Sequence, residues 1–550
     1  MRKKHFLFAS VLALLCSSST LHAQDFKLTS SGYFKNQGVD VMAFDDIYPE
    51  GHQGGVCIIM NGHRVATNGD IRLEATPGQW QPVPKQLDRK LGDNSITATL
   101  CYPDSSRHLT GFNPMIYPDL HLIYTVNVES KGKNIEVTVD LDRPIPQEFI
   151  GKVGFNLEFF PGSLFGKPWI MDGQSGIFPQ QPNSPLMTTQ PNYLHTGNYH
   201  DGKKSLADMD KLIGKGYSPI VADDIISEPY AKGTKFTSRP DDPYNKVTIE
   251  SLSGDLQLFD GRMNHNNGWF VLRSNIKPGV TKGAVKWIIT PNVVADWMYQ
   301  PVIQTSQIGY HPTQDKEAVI EMDIRDNRKE TAQIIRIDAD GEKVVKNVTP
   351  ANWGKFLRYN YLKVNFTDVK EPGLYKIKYD TSVSPIFRID NDVYARGVWQ
   401  PVLEYFLPVQ MCHMRVNEKY RVWHDCCHMD DAQMAPAHNH IDGYDQKEGL
   451  SKFKPGEVVP GVNIGGWHDA GDFDLRIESQ AGESYILALA YEAFHPNLDV
   501  TSIDQINRVT EIHQPDGKND LLQQVENGAL TVVNGYLALG RLYRGIICND

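Results

Sequence analysis

The sequence lacks a basic excess, a long apolar run beyond its first residues, an HExxH helix and any internal repeat, and it is sparing with cysteine. Lys and Arg number 55 against 66 Asp and Glu, a formal charge of −11. A chain that neutralises phosphates normally presents a surplus of cations, so no nucleic acid partner is expected. No segment reaches the ~20 consecutive apolar residues of a membrane-spanning helix, so no transmembrane segment is expected. The missing HExxH pattern argues against a zinc hydrolase of that kind.

What is present begins with MRKKHFLFASVLALLCSSSTLHAQD. Arg2, Lys3 and Lys4 form a basic n-region, Phe6 to Leu15 an apolar run, and small or polar residues lead to Ala23. This reads as a signal peptide over 1–23, cut after Ala23, and implies an exported protein, periplasmic or secreted. Cys16 invites a lipoprotein reading, but Leu15 precedes it where a lipid-attachment signal has a small residue. Six cysteines remain (Cys57, Cys101, Cys412, Cys426, Cys427 and Cys548). In an exported chain disulfides are the first expectation, with Cys57 and Cys101 as a candidate pair within the first domain.

A chain of 550 residues exceeds what one core supports, and at ~150 residues per domain about three or four units are expected. From 25 to 295, short alternating runs such as IEVTVDLDRPIP (135–146) and GAVKWIITP (283–291) stand between Gly, Pro, Asn and Asp. Period-two alternation with such breaks predicts antiparallel strands and a large β-sandwich of unknown role. The stretch 176–245 is richer in turn residues and reads as long loops or an insertion. Trp169, Tyr193, Tyr199 and Tyr230 are candidates for a sugar-stacking face, against core packing or loop anchoring. A second β unit follows over 300–391, with AVIEMDI, AQIIRID, LKVNFTDV and GLYKIKYD at spacings that suit an immunoglobulin-like sandwich.

After Tyr394 the pattern becomes helical: helices are predicted in 397–411, 477–494 and 520–545. In the last, Leu521, Leu522, Val525, Ala529, Val532, Val533, Tyr536 and Leu537 recur with helical spacing and make one apolar face. Asp516 or Asp520 is the expected N-cap. GGWHDAGDFD (465–474) falls on a loop between two of these helices. Asp469 and Asp472, three residues apart, can grip one water or one cation, with Gly471 permitting backbone that a side chain would hinder. Two close carboxylates raise the pKa of one member, which suits a general base. Alone, a DxxD in Gly-rich sequence is equally a turn, a cap or a structural cation site.

Its neighbours add to it. NIGGWHDAGDFD, the helix ESQAGESYILALAYEAF and then PDGKNDLLQQVENGALTVV resemble glycoside hydrolase family 9. PVIQTSQIGYHP (301–312) and FTDVKEPGLYKIKY (366–379) resemble the immunoglobulin-like domain that often precedes that family's catalytic domain. The resemblance covers about 301 to the end. It implies an (α/α)6 barrel, here a partial all-α one over 392–550, that hydrolyses β-1,4-glucan (polysaccharide or oligosaccharide) with inversion. By motif position Asp472 is then the principal base, Asp469 its partner in positioning the water, and Trp467 and His468 substrate-binding groups of the cleft wall. Phe473 departs from the His or Tyr common after the second Asp. The family's acid is a glutamate from a late loop. No residue here matches it, so the chain reads as the first portion of a longer enzyme, with a shortened, non-catalytic glycan-binding or scaffolding protein as the alternative.

MCHMRVNEKYRVWHDCCHMDDAQMAPAHNH (411–440) gathers Cys and His, the ligands zinc prefers in a structural site. The resemblance implies Cys412, Cys427 and His428 as ligands, with His440 or His438 as the fourth. A disulfide from Cys412 to Cys426 or Cys427 is the competing reading. Calcium is also common in the family, with no ligand set legible here.

Overall fold

The computed structural model describes residues 25–45, 54–74, 84–104, 106, 120–182, 186–188, 225–263, 268–356, 358–430, 432–435, 449–470 and 473–547. The signal segment, Tyr193, Tyr199, His438, His440, Gly471, Asp472 and Cys548 lie outside the described residues.

Residues 25–291 build two antiparallel sheets, each with nine strands among the described residues, and a two-stranded ribbon of Leu186–Thr188 with Ile225–Ser227. The alternating runs supply them: Asn134–Leu141 and Val285–Pro291 pair directly, every second side chain turned into the shared core. Val247–Ser251 and Leu256–Asp260 are close in sequence yet enter opposite sheets, so the SGD-containing turn between them crosses from one sheet to the other. The core is aromatic and aliphatic. Phe155 meets Trp287 edge to face at 5.0 Å, and the buried indole N–H of Trp287 donates to Ser274 Oγ at 3.0 Å. The expected Cys57–Cys101 pair does not form. Cys57 lies on Val56–Met60 in one sheet and Cys101 ends Ser95–Cys101 in the other, and both are thiols. Of the aromatics proposed to stack on sugar, Trp169 is a core residue, 6% exposed, with its ring so close to Gly176 that a Cβ there would sit 2.4 Å away. Tyr230 packs on the same core and its hydroxyl donates to Asp260 Oδ2 at 3.0 Å.

Two smaller sheets face each other over 302–389. One runs Val302–Gln304, Glu317–Asp323, Tyr359–Asn365, Ala351–Phe356; the other is built on Gly341–Val348, Ala332–Asp338 and Gly373–Tyr379, with Phe387–Ile389 pairing the last. Between them Ile320, Met322, Ile334, Val364, Tyr375, Ile377 and Tyr379 close a core of their own. This is the immunoglobulin-like unit.

The helical region is less complete than its pattern suggests. The segment predicted over 397–411 contains a π-helical turn, Val402–Phe406, and then α1, Leu407–Gln410. Helix α2 is Ile477–Phe494 and α3 is Asp520–Leu539, packed together. Asn519, not Asp516 or Asp520, caps α3, its side chain accepting from the Leu521 and Leu522 amides. Gly540, in the left-handed region, ends α3 well before 545. The apolar face foreseen on α3 divides: Leu521 is buried and Val532 packs on a core, but Leu522, Val533, Tyr536 and Leu537 are exposed, while Gln523, Gln524, Asn527 and Thr531 are buried. Tyr485, Ile486, Leu489 and Phe494 leave α2 in the same way. These helices therefore do not form a complete (α/α)6 barrel among the described residues. Their inner side is polar because it binds the backbone of a loop.

Candidate active-site loop and metal centre

That loop is Gly465–Asp474. Gly465 and Gly466 both take positive φ, 75° and 88°, and both lie hard against neighbours: a Cβ would fall 2.3 Å from the Asn527 carbonyl or 2.6 Å from Leu475. The close approach lets the Gly466 amide donate to the Asn527 carbonyl (2.8 Å) while the Asn527 side-chain amide donates to the Gly466 carbonyl (2.9 Å). Trp467 follows. Its amide donates to Gln480 Oε1, its carbonyl accepts from Gln480 Nε2, and its indole N–H donates to Gln524 Oε1 at 2.9 Å. The ring is 1% exposed and packs on Gly528. Expected at a cleft wall, Trp467 is instead the buried anchor of the loop. The buried polar row of α3 thus has a job: unmet backbone donors and acceptors in this loop would each cost about 1–3 kcal/mol.

On the opposite side the loop continues a short bridge. Met411 pairs with Trp467, the Cys412 amide donates to the Gly466 carbonyl and the His468 amide to the Gln410 carbonyl, each at 2.9 Å. Beyond this clamp Asp469 emerges at the surface. Its amide donates to the Asp474 carbonyl at 2.6 Å and its carboxylate accepts from Ser479 Oγ at 2.7 Å. Glu483, on α2, reaches solvent, yet its carboxyl is held above the usual range, first by lost hydration and then by the Asp469 charge. Sequence spacing gave no reason to single out Glu483; its position on the α2 side facing the loop does. Asp472 lies outside the described residues. Phe473 is 53% exposed, and its ring meets the His468 ring edge on at 5.2 Å.

His468 itself turns to the Cys/His segment. Ligand atoms of Cys412, Cys427, His428 and His468 all lie within 4.8 Å of one another. The thiols are 3.9 Å apart, and Cys427 Sγ is 3.2 Å from His468 Nε2. Neither cysteine is in a disulfide. Two thiols and two imidazoles at these separations suit a tetrahedral ion with bonds of ~2.0–2.3 Å, so the set fits zinc. The Cys427 thiol is pushed down to about 3, chiefly by the Cys412 hydrogen bond, with His468 and the His413 amide adding to it. A thiolate is the form a metal binds. Adjacent Cys426 points elsewhere, toward the Arg508 carbonyl at 3.8 Å. Thus, among the described residues, the fourth position comes from the loop motif, 40 residues beyond His428.

A family model described as the cellulase N-terminal ig-like domain matches residues 298–384. No curated protein matches. Among solved structures, a Zn-binding triple mutant of the GH family 9 endoglucanase J30 is 22% identical with a TM-score of 0.33, over 43% of this chain and 40% of that one. The GH family 9 endoglucanase J30 is 20% identical with a TM-score of 0.32 over the same shares. A GH9 protein of Bacteroides ovatus is 19% identical with a TM-score of 0.33, over 44% of this chain and 41% of that one. The chain spans about two fifths of the length of these solved relatives. Across the matched β unit, the resemblance to glycoside hydrolase family 9, in its form with an N-terminal immunoglobulin-like domain, is borne out.

Proposed function

We propose that this chain belongs to an exported hydrolase of β-1,4-glucan that acts with inversion, Asp472 serving as general base and Asp469 as its partner in holding the attacking water. The observation that carries the reading is the clamp on Gly465–Trp467. Two glycines, the Gln480 amide and the Asn527 amide fix a loop that two residues later, at Asp469, presents a carboxylate to solvent. Rigid support of this kind is what a water-activating carboxylate needs, since small displacements of a reacting group cost rate steeply. In the proposed reaction the water's oxygen bonds to the anomeric carbon as the glycosidic C–O bond breaks. The water's proton passes to the base, and a general acid protonates the departing oxygen.

The test is release of reducing ends from soluble β-glucan, assayed on the longest reading frame that contains this chain. Asp472→Asn is expected to lower the rate by at least a hundredfold while polysaccharide binding persists. Unchanged hydrolysis in that variant removes the reading. Binding without any hydrolysis by the wild type favours the second reading, a glycan-binding or scaffolding protein, to which the uncovered apolar faces of α2 and α3 lend support.

The proposal includes a structural zinc ion held by Cys412, Cys427, His428 and His468. When bound, zinc supplies a fixed tetrahedral crosslink and no catalytic water, because four protein ligands close its coordination. The chain's own part is the coupling: His468 and Asp469 are adjacent, so a ligand bond at one limits the movement of the other.

A further inference from the structure

The joint between the first sandwich and the immunoglobulin-like unit encloses a cavity of about 170 Å³. Trp297, Tyr299 and Tyr359 are its aromatic walls, and Lys35, Asp40 and Arg358 its charged ones. Nearby Asp323 and Arg325 satisfy each other through two hydrogen bonds of 2.7 and 2.8 Å. The other three charged groups do not. Lys35 and Asp40 stand directly opposite on the hairpin Phe34–Ala43, yet among the described residues no hydrogen bond or ion pair closes on the side chains of Lys35, Asp40 or Arg358. Both cations pull the Asp40 carboxyl down, and burial outweighs them, holding it above the ordinary range. Lys35 and Arg358 are exposed and Asp40 is half-buried, so all three polar heads stand free to bond a solute in the cavity.

The aromatic wall continues out of the cavity. Ring centroids step from Tyr299 to Tyr359 (5.1 Å), to Tyr361 (6.1 Å) and to Trp353 (5.7 Å), across the outer face of the sheet that contains Glu317–Asp323 and Tyr359–Asn365. Trp353 is 55% exposed. The Tyr299 and Tyr361 hydroxyls both donate to the Glu321 carboxylate, at 2.8 and 3.0 Å, which fixes their rings. Solvent-facing positions of a sheet ordinarily carry polar side chains. These rings pack tilted or edge to face, at interplanar angles of 55°, 65° and 90°, and end in a cavity rimmed by charged groups, so together they offer apolar contacts to the C–H face of a pyranose and hydrogen bonds to its hydroxyl edge.

We propose that this joint is a saccharide site separate from the Asp469 loop: the end residue of a neutral β-linked glucan occupies the cavity, and the chain runs along Tyr361 toward Trp353. Arg358 and Lys35 donate to its hydroxyls and Asp40 accepts. The sugar class rests on the proposed function; the site rests on the cavity. Its consequence is a chain held at the joint of the first two units, independent of hydrolysis.

The test is calorimetric titration of cellohexaose into the whole chain, in an Asp472→Asn background so that no sugar is consumed. Asp40→Asn combined with Arg358→Ala is expected to weaken binding at least tenfold with an unchanged melting temperature, because two hydrogen bonds to charged groups are lost. Trp353→Ala is expected to weaken cellohexaose severalfold and leave cellobiose unaffected, a length dependence that a purely structural role would not produce. Cellohexaose affinity unchanged in the double variant, or no binding in its parent, overturns the site. Hydrolysis that survives Asp40→Asn with Arg358→Ala in a chain that keeps Asp472 leaves the catalytic reading standing, and binding that survives without wild-type hydrolysis leaves this one standing.

Discussion

The immunoglobulin-like unit and the helical region solve opposite problems. In the former, alternating side chains turn inward and Ile320, Ile334 and Ile377 meet across two sheets. In the latter, α3 turns Gln524, Asn527 and Thr531 inward and leaves Val533, Tyr536 and Leu537 outside. A strand's neighbours satisfy its backbone, so its side chains are at liberty to be apolar. A glycine loop has no ladder, so the helix beside it must supply amides and hydroxyls. The helical region is thus the part in which much of the apolar pattern points outward.

Substitution can break this comparison or sharpen it. Ile377→Ala, in the closed core, is expected to cost about 2–5 kcal/mol, whereas Leu537→Ala, 73% exposed, stays within about 0.5 kcal/mol. Urea midpoints of the two variants measure this, and equal costs would show that the outer face of α3 is covered. Next in size, Asn527→Ala removes one of the two donors to the Gly466 carbonyl and the acceptor of the Gln505 amide, at about 0.5–1.5 kcal/mol. It is expected to raise hydrogen exchange at Trp467 and His468 while Ile377 stays protected. The smallest effect is a pH slope. Burial, against hydrogen bonds from the Val500 and Thr501 amides, pushes the Asp520 carboxyl up to about 6 from 3.8. A raised acid adds stability below its unfolded value and loses it as pH rises through the folded one. Asp520→Asn should therefore flatten urea midpoints between about pH 4 and 6, relative to the wild type.

Much of the β architecture was legible because period two is local. Residues 135–141, 285–291 and 373–379 are strands as their alternation requires. The loop motif was legible through its glycines. The polar inner face of α3 was not, because helical spacing shows which residues share a face and not what that face meets. His468 illustrates the same limit. His438 and His440, in reach by sequence, lie outside the described residues, and among the described ones the Met411–Trp467 bridge brings His468 to Cys427. Cys57 and Cys101 failed as a pair for the corresponding reason: strand order in two different sheets is invisible in their spacing.

The central claim is that the Cys/His cluster and the carboxylate loop are one unit, joined at His468. Zinc content of the purified chain, measured by elemental analysis after dialysis, tests it most directly. The account predicts one zinc per chain, lost in His468→Ala and kept in His440→Ala. Zinc kept in His468→Ala and lost in His440→Ala would contradict it.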